Sequence, residues 1–275
     1  MFVLHNALIV PEYMFQMNYK NRAFQYGDGF FETMIYDGTK IRFFNDHYDR
    51  IEKAIEAFGL SYPEKFTKEG LHNNIVSLVE KNALHHEARI KLMIYRSEGG
   101  LFIPEDNEFE LLMTASRRTA PSSEFKKKVD FYNEFPVQLN PVSAFKTMSA
   151  LQYVFAGVFA KRHGLDEVIL LNDEGYIAEC LSTNLYWIKN DVLFTPSVDT
   201  GCVSGVMRKQ LLSSARANDI NVKQGKFKRE DLMEADFVFN SNVTGFHVIQ
   251  NIEGTSFKTD HPIFETLKED ILKSY

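Results

Sequence analysis

DEVILLNDEGYIAECLSTNLYWIKNDVLFTPSVDTGCVSGVMR, residues 166–208, sets several strands, a buried-looking acid and a helix start in one continuous run. Residues 167–171 are aliphatic and β-branched, Asn172-Asp173-Glu174-Gly175 carries turn chemistry, and residues 176–180 alternate, which predicts a hairpin. Asn190-Asp191 predicts a second turn, between strands over 185–188 and 192–195. The whole reads as a β-meander. Glu179 falls at the end of its second strand among Ala178, Cys180 and Leu181, where a carboxylate is costly to dry unless something cationic meets it. Past Pro196, Ser204 reads as the cap of a helix that opens with Val206, Met207 and Arg208 and runs through Leu211 and Leu212. A helix start presents amide donors and a partial positive charge to an anion.

Outward from this stretch, the 275 residues are 44% apolar and 25% charged with a net charge of −6. That is enough apolar material for a real core and for two modest domains. The acidic balance argues against nucleic acid or an anionic membrane as partner, since both require a concentrated basic face. No apolar window approaches the roughly 20 residues needed to cross a bilayer, and the start MFVLHNALIVPEY lacks a basic lead, so a cytoplasmic protein is expected. Two cysteines, Cys180 and Cys202, cannot make a disulfide framework or a structural zinc site and read as core or pocket lining. His85-His86-Glu87 reads as a surface turn, and no metal is expected.

Upstream, residues 2–10 read as an opening strand, and Phe24-Gln25-Tyr26-Gly27-Asp28-Gly29 as a sharp turn before a strand over 31–36. Asp37-Gly38 signals a hairpin returning over 40–44. Tyr26 and Glu32 are the residues here suspected of facing a site. Asp46 is expected to cap a helix with His47, Ile51, Ala54, Ile55 and Phe58 on one face and Gly59 as its stop. Arg50 borders that stripe. Its stem either lies on the core with the head in water, or its fork turns inward to a phosphate. A helix over 67–82 follows, then strands over 88–95 and 108–115 across a loop with Gly99-Gly100. Arg96, at the mouth of that loop, is either a surface residue or a clasp for a substrate carboxylate. The polar run 116–124 separates two patterned halves. We therefore expect a small α+β domain over 1–116, a linker over 117–124 and a larger domain over 125–275.

In the second half, Lys146 stands ahead of an apolar helix expected over 149–163. Desolvation and the positive end of a helix both disfavour the charged amine there, and a neutral amine is a nucleophile. Further on, Ser241-Asn242-Val243-Thr244-Gly245 reads as a turn rich in hydroxyl and amide donors. The final helix is expected over 262–273. A poised lysine, a buried acid, an arginine, a helix start and a hydroxyl-rich turn are together what pyridoxal 5'-phosphate requires for its aldehyde, its ring nitrogen and its phosphate.

The motifs YGDGFFET, HYDRI, AFKTMSALQ, DEVILLNDEGYIAECLSTNLYW, FTPSVDTGCVSGVMR and FNSNVTGF also resemble, in order and wording, the class IV aminotransferases of pyridoxal-phosphate fold type IV. That family includes branched-chain and D-amino-acid aminotransferases and 4-amino-4-deoxychorismate lyase, and the likeness covers about residues 24–248. It implies an α/β, two-domain (α+β) fold with a β-rich pseudo-barrel second domain, and a homodimer with its site between two domains. It further implies that Lys146 carries the cofactor and that Glu179 holds the ring nitrogen protonated. Arg50, Val206, Met207, Ser241 and Asn242 would form the phosphate cup. Tyr26 and Arg96, which the resemblance does not assign, are the candidates for meeting the substrate carboxylate.

Within the family, AECLSTNLYW and GVMR are compatible with the lyases. YRSEGGLFIP has their Arg-x-x-Gly-Gly pattern without the following Arg-Gly-Tyr, and Met207 stands where members often have threonine. The expected reaction is conversion of 4-amino-4-deoxychorismate to 4-aminobenzoate and pyruvate. The alternatives are transamination of branched-chain or D-amino acids, and a cofactor-holding module without catalysis.

Overall fold

Phe2–His5 (β1) and Leu8–Pro11 (β2) form an antiparallel hairpin where one strand was expected. The reversal comes at Asn6, which takes a left-handed conformation (φ 47°) and accepts from the Leu111 amide through its side chain. The computed structural model describes residues 1–6, 8–62, 66–119 and 124–274. It divides into two units, Met1–Ala120 with Phe145–Ala150, and Pro121–Ala144 with Leu151–Tyr275. Of the linker expected over 117–124, Arg117 ends a strand and residues 120–123 lie outside the described residues.

In the first unit, Arg22–Tyr26 (α1) is capped by the Asn21 side chain and closed by Gly27 at φ 66°. Gly29–Tyr36 (β3) leads into Phe44–Ala57 (α2), and Lys68–Lys81 (α3), capped by Thr67, leads into Ala88–Arg96 (β4) and Phe109–Arg117 (β5). The sheet runs β2-β1-β5-β4-β3 and is antiparallel. The return strand expected over 40–44 is reduced to one bridge, Tyr36 to Ile41. The Asp37 carboxylate takes the amides of Thr39 and Lys40, and Phe43 turns left-handed (φ 52°) directly into α2. Asp46 accordingly sits in the first turn of α2 and is not its cap. The apolar stripe of α2 meets α3 and the sheet through Ile51, Ile55, Ile75, Leu78, Met34, Ile90, Leu92 and Met113, all buried. Each such side chain contributes on the order of 1.5–3 kcal/mol by leaving water.

In the second unit, Phe125–Lys126 (β6) is followed by Val129–Val137 (β7), Leu151–His163 (α4) and Glu167–Asn172 (β8). β7 and β8 are parallel, which requires a crossover, and α4 supplies it. Ile177–Cys180 (β9) pairs antiparallel with β8. Asn184–Lys189 (β10), Val192–Pro196 (β11), Val206–Ala217 (α5), Val222–Gly225 (β12), Arg229–Met233 (α6), Phe237–Asn242 (β13), Gly245–Ile249 (β14), Asn251–Ile252 (β15), Thr255–Ser256 (β16) and Pro262–Lys273 (α7) complete it. One sheet runs β12-β11-β10-β13-β14-β6 and the other β16-β15-β7-β8-β9.

The expected meander is therefore divided: β8 and β9 belong to one sheet, β10 and β11 to the other. The break follows Cys180, whose amide bonds back to the Thr183 carbonyl, while the buried Glu167 carboxylate accepts the Leu181 amide and so ends the ladder with β8. Ile177–Cys180 is buried on both faces. Trp187, stacked on Phe194 and met edge-on by Phe227, anchors the core beside it.

Candidate active site

Lys146 occupies a short segment laid along the start of β3. Its carbonyl accepts from the Phe31 amide at 2.8 Å, Thr147 bridges to Phe30, and the Met148 amide donates to the Gly29 carbonyl at 2.9 Å. Gly29 is required by the close approach of β4 on its other side, since a Cβ there would lie 2.5 Å from the Ile94 carbonyl oxygen. The Lys146 amine is half-buried with its Nζ 5.9 Å from the Phe31 ring centre. The helix expected from Ser149 begins at Leu151, so Lys146 is a residue of the β3 edge and not of a helix start. Its segment groups with the first unit, whereas sequence reading had assigned it to the second domain.

Arg50 lies inward. Its Nε and Nη2 donate to the two oxygens of Glu32 at 2.6 and 2.7 Å, and His47 Nδ1 donates to the second oxygen at 2.8 Å. All three side chains are buried. Burial alone would raise the Glu32 pKa, but the Arg50 guanidinium and the His47 bond outweigh it and bring it down to about 2. Glu32, suspected of facing a site, is thus the carboxylate that orients Arg50.

Arg96 is committed to protein acceptors at every guanidinium nitrogen: Nε to Asp28 at 3.1 Å, Nη1 to Asn107 at 2.5 Å, and Nη2 to the Phe58 carbonyl at 2.7 Å. The same Asp28 oxygen accepts from Arg22 Nε at 2.8 Å, and Arg22 Nη1 reaches the carbonyls of Gly99 and Leu101. Arg22, Asp28 and Arg96 therefore brace the loop after β4. The guanidinium of Arg22 also covers the half-buried ring of Tyr26, 5.1 Å from its centre, with Phe102 on the other contact.

In the second unit, Glu179 is buried at the end of β9. Tyr153 on α4 donates its hydroxyl to Glu179 Oε1 at 2.7 Å, and the Val203 amide donates to Oε2 at 3.2 Å. The helix cap is Gly205 and not Ser204. Val206, Met207 and Arg208 form the first turn of α5 with buried side chains, and helix geometry leaves their amides without intrahelical acceptors. Asn184 secures this loop by donating Nδ2 to the Val203 carbonyl at 2.8 Å. A Cβ on Gly205 would sit 2.1 Å from Asn184 Oδ1. Gly205→Ala is expected to cost about 1–3 kcal/mol of stability by overpacking, while Gly157→Ala, in open contact with Leu181 only, stabilises or leaves the chain unchanged. Urea unfolding of the two variants checks both signs.

Ser241 and Asn242 lie on β13, opposite Phe246 and Gly245, so the expected turn shrinks to Val243 and Thr244. Ser241 is buried with its hydroxyl 3.4 Å from that of Tyr186, and the Asn242 amide donates to the Ser182 carbonyl at 3.2 Å. Burial raises both cysteine thiols, Cys202 to about 12 with the Glu179 charge adding to it, so both are unreactive core groups. Tyr153, Asn184 and Arg22 escaped sequence reading, and His47, expected on the apolar face of its helix, is instead a partner of Glu32. The only signal for Tyr153 is a hydroxyl in an otherwise apolar helical run.

The donor set suits one kind of group. In the first unit a primary amine and an arginine, and in the second a buried carboxylate that accepts two hydrogen bonds, the amides of a helix start and a buried hydroxyl, are the kinds of group that match an aldehyde, a ring nitrogen and a phosphate. Residues 29–251 match the model of the amino-transferase class IV family. The chain is 30% identical over 248 residues to a D-alanine aminotransferase of Listeria monocytogenes, covering 88% of this chain and 84% of that one. It is 26% identical over 258 residues to an aminodeoxychorismate lyase of Vibrio harveyi, covering 88% and 90%. The crystal structure of a branched-chain aminotransferase from Thermoproteus uzoniensis with norvaline superposes with a TM-score of 0.90 at 22% identity, over 99% of this chain and 94% of that one.

Proposed function

We propose, on the premise that this chain belongs to the class IV aminotransferase family of pyridoxal-phosphate enzymes, that it is a lyase converting 4-amino-4-deoxychorismate to 4-aminobenzoate and pyruvate. The observation that carries this reading is the pair Cys180 and Met207. Both side chains are buried, one directly after Glu179 and the other in the first turn of α5. They belong to the motifs AECLSTNLYW and GVMR, through which the chain resembles the aminodeoxychorismate lyases. Met207 offers an anion its amide but no hydroxyl.

When bound, pyridoxal phosphate supplies an electron sink for the carbon that bears the substrate amine. Lys146 would hold the cofactor by its aldehyde and, with substrate bound, would take the proton from the amine-bearing carbon. Glu179 keeps a proton at the ring nitrogen. Arg50, the amides of Val206 and Met207, and the side chains of Ser241 and Asn242 bind the phosphate. Tyr26 offers its hydroxyl to a substrate carboxylate, and Arg96 serves by holding the loop that completes that side of the site. Loss of the enolpyruvyl group, with its protonation, gives pyruvate and leaves the aromatic amine. The same reading takes the enzyme as a homodimer. Leu151, Val154, Phe155 and Val158 are each at least half exposed along one face of α4, which supports burial against a second copy.

Cofactor-loaded protein given aminodeoxychorismate should release pyruvate and 4-aminobenzoate in equal amounts. The 30% identical D-alanine aminotransferase favours a second reading, transamination, in which an amino group would be exchanged between an amino acid and a 2-oxo acid with Lys146 carrying the proton. No pyruvate from aminodeoxychorismate, together with interconversion of D-alanine or branched-chain amino acids and their 2-oxo acids, would replace the lyase with that reading.

A further inference from the structure

α4 (LQYVFAGVFAKRH) carries a single phenol, Tyr153, and that phenol does not point to water: its hydroxyl is the 2.7 Å donor to Glu179 Oε1. Burial, with the Glu179 charge adding to it, holds the Tyr153 pKa far above the usual phenol range, so the hydroxyl donates throughout the working range of pH. The thiols of Cys202 and Cys180 also feel the Glu179 charge, and burial keeps both neutral, so neither competes for the proton. We infer that Tyr153 is a positioning residue that keeps Glu179 ionised, and so keeps the proton they share on the ring nitrogen of the bound cofactor and not on the carboxylate.

This rests on the reading in which Glu179 meets that nitrogen. The balance is a proton moving between two atoms, from carboxylate with protonated ring nitrogen to carboxylic acid with neutral ring nitrogen, and nothing else enters or leaves. A carboxylate as buried as Glu179, 3% exposed, drifts to its neutral form unless donors hold the charge. Each donor to the carboxylate opposes that drift, and a hydrogen bond to a charged acceptor shifts such a balance by about tenfold or more. The backbone amide of Val203 is one donor and cannot be changed by substitution. Tyr153 is a side-chain donor that can be changed, and through the carboxylate it sets how strongly the ring draws electrons.

The test is Tyr153→Phe in the full, cofactor-loaded chain, followed by absorbance titration of the lysine–cofactor link. A ring that has lost its proton withdraws less from the linking nitrogen, so the protonation midpoint should rise by about one pH unit. Turnover should fall about tenfold with KM little changed, and cofactor affinity should move by less than about threefold, since the phosphate contacts remain. In a Glu179→Gln background the same substitution should add nothing, because the carboxylate it acts through is gone. An unchanged midpoint in Tyr153→Phe, beside a shifted one in Glu179→Gln, would make Tyr153 a packing residue and overturn the inference alone. If neither variant moved the midpoint of a Lys146-dependent link, Glu179 would not meet the ring nitrogen, and both readings would fall. Should Tyr153→Phe not fold, 3-fluorotyrosine at position 153 strengthens the donor and should move the midpoint down; a rise or no change would be equally fatal.

Discussion

Lys146→Ala is expected to abolish the adduct that borohydride traps between this chain and pyridoxal phosphate, and to lower turnover by at least about 10³-fold, the combined loss of a covalent anchor and a proton carrier. The fold should survive. What positions Lys146 is main chain: its carbonyl on Phe31, the Thr147 bridge to Phe30, and the Met148 amide on Gly29. None of these bonds uses the lysine side chain, so the melting temperature should change little. Lys91 supplies the control, because its amine lies 5.1 Å from the centre of the same Phe31 ring that Lys146 approaches at 5.9 Å. Lys91→Ala should leave the adduct intact. Mass spectrometry of the reduced, digested protein decides between them, and modification at any position other than 146 would end the assignment of this lysine.

Arg50→Ala should be the most damaging change to the first unit, for a reason that sequence alone concealed. It does not only remove the phosphate ligand proposed above. It strands Glu32, a fully buried carboxylate whose bidentate partner is gone, and breaking a buried pair from one side costs about 3–5 kcal/mol. Cofactor retention should weaken at the same time. Arg50→Lys, which keeps the charge but not the fork, should fall between wild type and alanine.

The sign of the pH dependence separates the two effects. Glu32 has a folded pKa of about 2 against 4.5 for the free side chain, so the stability it contributes is fully present above about pH 4.5 and is lost as the pH falls toward 2. In Arg50→Ala the carboxyl is neutralised by burial. The stability gap between wild type and variant should therefore narrow over that acid window in urea titrations. A gap that is constant from pH 7 to the acid limit would mean that Arg50 stabilises by packing its stem and not by its charge.

Local pattern made much of this chain legible. The last helix was expected over 262–273 and is found at Pro262–Lys273, because a proline start and an apolar stripe are signals contained within the segment. The antiparallel pair either side of the Gly99-Gly100 loop and the strand carrying Glu179 were legible for the same reason. Elsewhere the decisive contact lay far along the chain. The return strand after Asp37-Gly38 failed because a side chain took the amides that the strand would have used. Helix α4 starts at Leu151 and not at Ser149, just past a segment through Met148 that already has β3 as a backbone partner.

Taken by itself, the sequence determined most of the strands and helices, since periodicity and turn chemistry are properties of neighbouring residues, and its motifs carried the resemblance from which the family and the cofactor were expected. Only the tertiary structure decided what the charges do. Arg96 is spent on Asp28, Asn107 and Phe58, Arg50 is gripped by Glu32, and Tyr153 holds Glu179 from 26 residues away. A buried charge needs a partner wherever the chain can bring one, and a pattern within one segment carries no information about which distant residue that will be.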